Sequence, residues 1–450
     1  MSASDPVPDL LIAIPAVIVA CRVGAALARR VGQPPVVGEI ATGILLGPSL
    51  LGWLWPEAQA WLIPSAAIPY TGALGQLGLL VFMFLIGLEL DLGALRGLGR
   101  TALAVSQASI ALPMLLGAAL AFGMYGPLAP EGTERLPFVL FIAVALSITA
   151  FPVLARILTD RGIYHTPLGA LAMASAAFND AMAWCLLAIV VTITQSGSAL
   201  DPVLTAALSA VFLTVMLYVV RPVLARWGTR AARAAKSRAP KPGWDSAAAG
   251  QDSLVLVVLF AGLCLSSLAT DRIGLHALFG AFVFGMAMPR ESLQIEHAAS
   301  RLRTVVIPLL LPLFFAHTGL RTDIAMLGDD PAQWLWAGAV LAVAVIGKWG
   351  GSAAAARACG QDWRSALSLG ALMNCRGLTE LVILNIGLEL GVIGQDLFTI
   401  LVLMALITTA LTSPALTRLR RRDDPSGSSP DEERGAPAAA GHDVGRVAGG

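Results

Sequence analysis

Residues 168–191 read LGALAMASAAFNDAMAWCLLAIVV, and Asp180 is the only charged residue among them. About twenty consecutive apolar residues are enough for a helix to cross a bilayer. A carboxylate placed near the middle of such a helix is expensive, and residues of this kind mark ion or proton pathways. The rest of the chain is therefore read around Asp180: what solvates it, and what lets it reach one side of a membrane at a time.

The composition supports a membrane setting. The chain has 450 residues, 56% hydrophobic and 13% charged, with mean hydropathy +0.76. A soluble domain carries about 25% charged residues. Runs of 18 or more apolar residues recur along the length, so the fold class expected is an all-α polytopic membrane protein. A net charge of +1 says little about partners, and no nucleic-acid interface is expected. The cysteines (Cys21, Cys185, Cys264, Cys359, Cys375) are scattered through apolar segments without CxxC spacing, which points to neither disulfides nor a metal site. The opening MSASDPVPDLL lacks a basic n-region and reads as a tail before a first span, not as a signal peptide.

The hydropathy pattern predicts about thirteen spans, at 9–29, 35–55, 70–89, 101–124, 137–158, 167–195, 202–226, 252–270, 274–289, 303–320, 333–355, 364–390 and 396–417. A basic Ala/Gly/Pro-rich connection, 227–251, separates the first seven from the last six. The stretch 1–420 is read as one transmembrane domain. The segment 421–450 reads as a disordered cytoplasmic tail, too short for a nucleotide-binding domain. Of the Lys and Arg residues, 22 fall in loops after odd-numbered spans and three (Arg135, Arg272, Arg321) after even-numbered ones. By the positive-inside rule this places the N-terminus outside and the C-terminus in the cytoplasm. The expected location is the plasma membrane, as an integral multi-pass protein.

Two further charges lie deep in apolar helices, Lys348 in AVAVIGKWGGSAAAA and Arg376 in LGALMNCRGLTELVILNIG, with Glu380 four residues on. The i,i+4 spacing lets Arg376 and Glu380 pair on a helix face. In ALSITAFPVLARIL, Pro152 removes a backbone donor and pushes its neighbour out of helical geometry, so this span is expected to break between Ser147 and Pro152. Asn374 to Glu380 is a polar, Gly-containing stretch at similar depth. The two spans are seven apart, an odd offset that inverts topology. Interrupted helices at matching places in inverted halves point to a midplane transport site.

Each residue has a bland reading beside the sharp one. Asp180, with Asn179 as an oxygen ligand, is read as a site that holds either a dehydrated monovalent cation or a proton, over the alternative of a structural cap. Lys348 is read as a counter-charge in the site, over snorkelling, because it sits mid-span. Arg376 and Glu380 are read as stabilising the interrupted helix, with Asn374, ahead of a direct substrate role. For Thr149 and Ser147, lining the cation pocket and back-bonding in a kinked helix stand equal. Glu39, Glu89 and Asp91, like His317, read as helix-end polar groups. No hydrolase, metalloprotease, Walker A or dinucleotide fingerprint with strand context occurs, so an enzyme is not expected, nor any cofactor or bound metal beyond a transported monovalent cation.

VVGEIATGILLGPSLLG (36–52), LGQLGLLVFMFLIGLELDL (74–92), ALSITAFPVLARILTDRG (145–162), AAFNDAMAWCLLA (176–188), FGAFVFGMAMPRE (279–291), PLFFAHTGLRTD (312–323) and LGALMNCRGLTELVILNIG (369–387) resemble the monovalent cation:proton antiporter-2 (CPA2) family, sodium/hydrogen exchanger-like. The Asn-Asp pair and MNxRGLxEL look most like its plant-CHX-like cation/H+ exchanger branch. The resemblance implies a NhaA-like inverted repeat with two broken crossing helices. It implies a core domain (about 101–195 and 333–417), a dimerisation domain (about 9–89 and 252–320) forming a homodimer, a linker helix at 202–226, and elevator-type movement. The family's ion-binding Asp maps to Asp180, its preceding position to Asn179 and its core lysine to Lys348. Its broken-helix positions map to Thr149–Phe151 and Asn374–Arg376. Electrogenic members resemble Asp-Asp at the pair. Asn179 looks more like electroneutral exchange, whereas retention of Lys348 points the other way.

The function expected is secondary antiport of K+ or Na+ against H+ across the lipid bilayer. The alternatives are an uncoupled cation channel, for which the sequence offers no filter-like repeat, and a membrane sensor, for which it offers no sizeable soluble domain.

Overall fold

The computed structural model describes residues 7–89, 99–195, 201–226, 246–289, 292–328 and 330–421. Asp91, residues 227–245 of the basic connection and the tail from 422 lie outside them.

Among the described residues there is no strand, as the hydropathy pattern requires. The helices in chain order are α1 (Val7–Arg30), α2 (Pro35–Leu46), α3 (Ile68–Glu89), α4 (Arg100–Leu128), α5 (Arg135–Ser147), α6 (Phe151–Asp160), α7 (Pro167–Gln195), α8 (Asp201–Val215), α9 (Ser246–Ile273), α10 (Ala277–Ala287), α11 (Leu293–Val305), α12 (Leu311–Leu320), α13 (Pro331–Val345), α14 (Gly351–Ala358), α15 (Trp363–Met373), α16 (Leu378–Glu389) and α17 (Gln395–Arg421). Two short helices, Leu51–Leu54 and Pro56–Leu62, join α2 to α3. Single π-helical turns continue α8, join α11 to α12 and join α13 to α14.

Among the described residues, eleven helical stretches are long and apolar enough to cross a membrane, and the bent pair α15–α16 raises the number to twelve. The thirteen expected are not reached on this measure, and the difference sits at the predicted ninth span. There the apolar helix is α10, only 11 residues long. At 1.5 Å per residue it covers about half the hydrocarbon thickness. Gly274, in the left-handed region at φ 93°, and the His276 cap separate it from α9.

Packing divides the helices into two sets. The first comprises α1, α2, α3 and α9 to α12, and its tightest pairs are α3 with α10, α1 with α2, α9 with α10, and α12 with α2 and α3. The second comprises α4 to α7 and α13 to α17, built around α4, which touches α5, α7, α13 and α14. Helix α8 contacts α7 of the second set and α9 of the first. The α3–α10 pair shows why small residues fall where they do. A Cβ on Gly285 would lie 2.9 Å from the Leu88 amide nitrogen and closer still to the Phe84 carbonyl. Only glycine lets these backbones meet, and helix association in a bilayer relies on such close approach.

Gly285→Leu is therefore expected to force α3 and α10 apart. It should lower stability by about 1–3 kcal/mol, the usual range for overpacking, seen as a lower thermal midpoint in detergent. An unchanged midpoint would mean that the two backbones have room to spare.

Candidate functional site

The second set contains both interrupted spans. Helix α5 ends at Ser147, residues Ile148–Ala150 are non-helical, and α6 starts at Phe151. Pro152 thus occupies the first turn of α6, where its missing N–H is an orphan donor in any case. Helix α15 ends at Met373 and α16 starts at Leu378, with a bend of 42° between them. Asn374 to Gly377 form that break.

The two breaks cross and satisfy one another. The Ala150 amide donates to the Cys375 carbonyl at 3.1 Å. The Thr149 hydroxyl donates to the Met373 carbonyl at 3.0 Å. Arg376, fully buried, donates through Nη1 to the Ala145 carbonyl (3.0 Å) and to Glu380 Oε2 (2.8 Å), and through Nη2 to the Leu146 carbonyl (2.6 Å). Those carbonyls belong to the last turn of α5, which has no helical donors of its own and carries the negative end of the helix dipole. The Thr409 hydroxyl on α17 accepts from the Arg376 amide at 3.0 Å. Arg376 and Glu380 do pair, but not on one helix face as the spacing suggested. Arg376 lies in the break, and its side chain spans to the first turn of α16.

Helix α7 brings Asn179 and Asp180 to this crossing. Asn179 Oδ1 accepts the Thr149 amide at 3.0 Å, and Nδ2 donates to the Ser109 hydroxyl at 2.9 Å. The position thus uses an acceptor and a donor at once, as an amide provides. Asp180, 4% exposed, accepts from the Thr379 hydroxyl at 3.0 Å. Trp184, one turn on, packs edge-on against Phe279 and stacks with Phe282, both on α10 of the first set.

Lys348 enters from the π-helical turn between α13 and α14 and is fully buried. Its Nζ donates to Thr149 Oγ1 at 2.5 Å and to the Ser109 carbonyl at 3.2 Å. Ser109 O is available because residue 113, which would ordinarily donate to it within α4, is proline. Gly347 packs directly on Pro113: a Cβ there would lie 2.9 Å from Pro113 Cα. Among the described residues Lys348 forms no ion pair.

Two cavities flank the crossing at opposite ends of the helices. One, about 540 Å³, lies between the sets at the end carrying Arg29, Arg156 and Arg303, with Pro152, Val153 and Leu378 in its wall. The other, about 370 Å³, lies at the opposite end, with His317, Arg321, Val382 and Asn385. Thr379, the partner of Asp180, falls between Leu378 and Val382 on α16. Glu39 lines the larger cavity and is 7% exposed, so it is not the interfacial helix-end group expected; α2 begins at Pro35 and buries it one turn in, against α1. Glu89 meets that expectation, half-exposed at the end of α3 and paired with Arg303.

The description "Sodium/hydrogen exchanger, transmembrane" matches residues 16–421. The chain belongs to the sodium/hydrogen exchanger family. This exchanger-family protein is similar to the Na(+)/H(+) antiporter NhaS4 of Synechocystis, at 38% identity over 87% of this chain and 92% of that protein. It is 39% identical to cation/H(+) antiporter 20 of Arabidopsis thaliana over 91% of this chain. It is 29% identical to K(+)/H(+) antiporter 1 of Saccharomyces cerevisiae over 90% of this chain. It spans about half the length of the plant and yeast relatives, 48% and 46%. These relatives are named as secondary transporters, not enzymes. In fold it is similar to the sodium proton antiporter MjNhaP1 of Methanocaldococcus jannaschii, with TM-score 0.63 at 15% identity over 92% of this chain and 97% of that one.

The exchanger's crossing gathers Asp180, Asn179, Thr149, Lys348, Arg376 and Glu380. It also leaves Asn374 Oδ1 buried without a hydrogen-bond partner among the described residues. Sequence reasoning missed Thr379, which bonds Asp180, and Ser109, which meets both Asn179 and Lys348. Hydroxyls are common in membrane helices. The signal that could have found Ser109 was Pro113 four residues later.

Arg376→Ala is expected to destabilise the fold by about 3–5 kcal/mol, because it strands Glu380 as an unpaired buried charge together with two α5 carbonyls. Arg376→Lys should recover only part, since an ammonium lacks the fork that reaches all three oxygens. Thermal unfolding in detergent measures both, and an alanine variant as stable as the parent would contradict the capping role.

Proposed function

We propose that the chain is a secondary antiporter exchanging a monovalent cation, K+ or Na+, for protons, with Asp180 binding the two in competition. One observation carries the reading. Asp180 is a buried carboxylate that accepts from the Thr379 hydroxyl, at the crossing of two interrupted helices, between cavities at opposite ends of the molecule. A carboxylate so placed needs either a proton or a cation. Thr379 and the partnerless oxygen of Asn374 are neutral ligands of the kind a dehydrated monovalent cation takes, and Asn179 and Thr149 set the shape of the site. Membership of the exchanger family supports the same assignment.

Access is proposed to alternate by elevator-type movement of the second set of helices, the core, against the first. The division in packing and the two flanking cavities support this. The first set is proposed to form the homodimer, and α8 to link the two sets. Lys348 acts as the fixed core cation bonding Thr149 and Ser109, and Arg376 with Glu380 holds the crossing. The arginine-rich end is proposed to face the cytoplasm, on the strength of the loop charge bias, and the plasma membrane is the proposed location.

Purified protein in vesicles, followed with a pH-sensitive dye, tests this. A pulse of K+ or Na+ should drive proton movement, and Asp180→Asn should abolish it while leaving the thermal midpoint near that of the parent. Full exchange by Asp180→Asn would refute the site. Pro113→Ala should restore a helical donor to the Ser109 carbonyl and take it from Lys348. We expect slower exchange by about tenfold, the worth of one net hydrogen bond to a charged group. A rate equal to the parent's would show that Lys348 does not depend on that carbonyl.

A further inference from the structure

The two sets of helices are tied together by polar bonds at the end with the smaller cavity. Asn385, on α16 of the core, is 7% exposed. Its Nδ2 donates to the Thr318 hydroxyl on α12 at 3.0 Å, and its Oδ1 accepts from Arg321 Nη1 at 3.3 Å. Arg321, directly after α12, lies 3.6 Å from Glu389 at the end of α16. Gln395, which opens α17 of the core, donates through Nε2 to the Arg321 carbonyl. At the opposite end Glu89, Arg303 and Arg156 line the larger cavity, and the ion pairs they form among the described residues stay within one set: Glu89 with Arg303 in the first, and Arg156 with Asp160 in the second.

We propose that Asn385, with Thr318, Arg321 and Gln395, is a positioning latch that holds the core against α12 and keeps the smaller-cavity side of the site closed. The latch rests on the antiport reading above, since elevator movement must break these bonds once in each cycle. Asn385 is its centre for an energetic reason. The Arg321–Glu389 pair is half-exposed, and exposed pairs add little. The Asn385–Thr318 bond is buried, so parting it costs each group a hydrogen bond that water does not replace until it enters, and leaves Asn385 Nδ2 only the Leu381 carbonyl on its own helix. Thr318 is fully buried, and its hydroxyl also donates to the Phe314 carbonyl, so it is fixed to its own helix. A movement of α16 along α12 must therefore break the bond, because Thr318 cannot follow.

The full chain carrying Thr318→Cys with Asn385→Cys, reconstituted in vesicles beside both single variants, tests the latch. Mild oxidation should form the disulfide, lower cation-driven proton movement at least about tenfold, and be reversed by a thiol reductant. Exchange at an undiminished rate with the disulfide present would overturn the proposal, and so would failure of the two thiols to pair. Labelling provides a second measurement. With Val382→Cys as reporter at the smaller cavity, Asn385→Ala should raise labelling by a membrane-impermeant thiol reagent by up to about tenfold, the worth of one hydrogen bond. Unchanged labelling would refute the latch. Labelling needs no transport, so a protein that moved no cation would refute the antiport reading and leave this result standing.

Discussion

A peptide group in hydrocarbon has no water to bond, so each one freed by a helix break must find its partner within the protein. That constraint organises this molecule. Breaking α5–α6 and α15–α16 at the same depth releases amides and carbonyls that neither segment can satisfy alone. The crossing answers with the amide of Ala150 on the carbonyl of Cys375, and with the Arg376 guanidinium over the open end of α5. The neighbouring helices are placed to complete it. Helix α7 supplies Asn179 for the Thr149 amide, α17 supplies Thr409 for the Arg376 amide, and the π-helical turn after α13 supplies Lys348 for the Thr149 hydroxyl.

Asparagine at 179 sets the electrostatics of the result. A carboxylate there would place a second negative charge beside Asp180. The amide leaves Asp180 as the acidic member of the pair, and its polar ends are both spent on neutral groups, Thr149 and Ser109. Lys348 then rests on oxygens without formal charge. The other buried cation, the Arg376 guanidinium, is matched by Glu380, so the crossing holds a closed ion pair of its own beside Asp180.

The amino-acid sequence displays this arrangement unevenly. Asp180 is legible because a single charge in an apolar run is expensive at that depth. Pro152 marks one break because proline leaves a visible covalent signature, and the polar run from Asn374 marks the other. The partners are less visible. Nothing in the one-dimensional pattern distinguishes Thr379 or Asn385 from other hydroxyl and amide residues in membrane helices, because what matters is which helix they face. The Arg376–Glu380 spacing is readable, yet it suggests a pair on one helix face, whereas Arg376 lies in the break and Glu380 in the first turn of α16. Span counting differed at α10, since the apolar stretch 274–289 is long enough on hydropathy alone but only Ala277–Ala287 of it is helical.

The crossing also has a consequence for how the chain is made. Thr149 and its partner Met373 are 224 residues apart. At synthesis rates of about 5–20 residues per second, roughly 10–45 s separate the emergence of the first break from that of the second. During that interval the carbonyls of Ala145 and Leu146 have no guanidinium, and the Ala150 amide has no Cys375 carbonyl to bond. The amino-terminal half must therefore enter the bilayer as a provisional structure, with α5 and α6 shielded by the insertion machinery or by water. It becomes a settled one only when the carboxy-terminal half arrives.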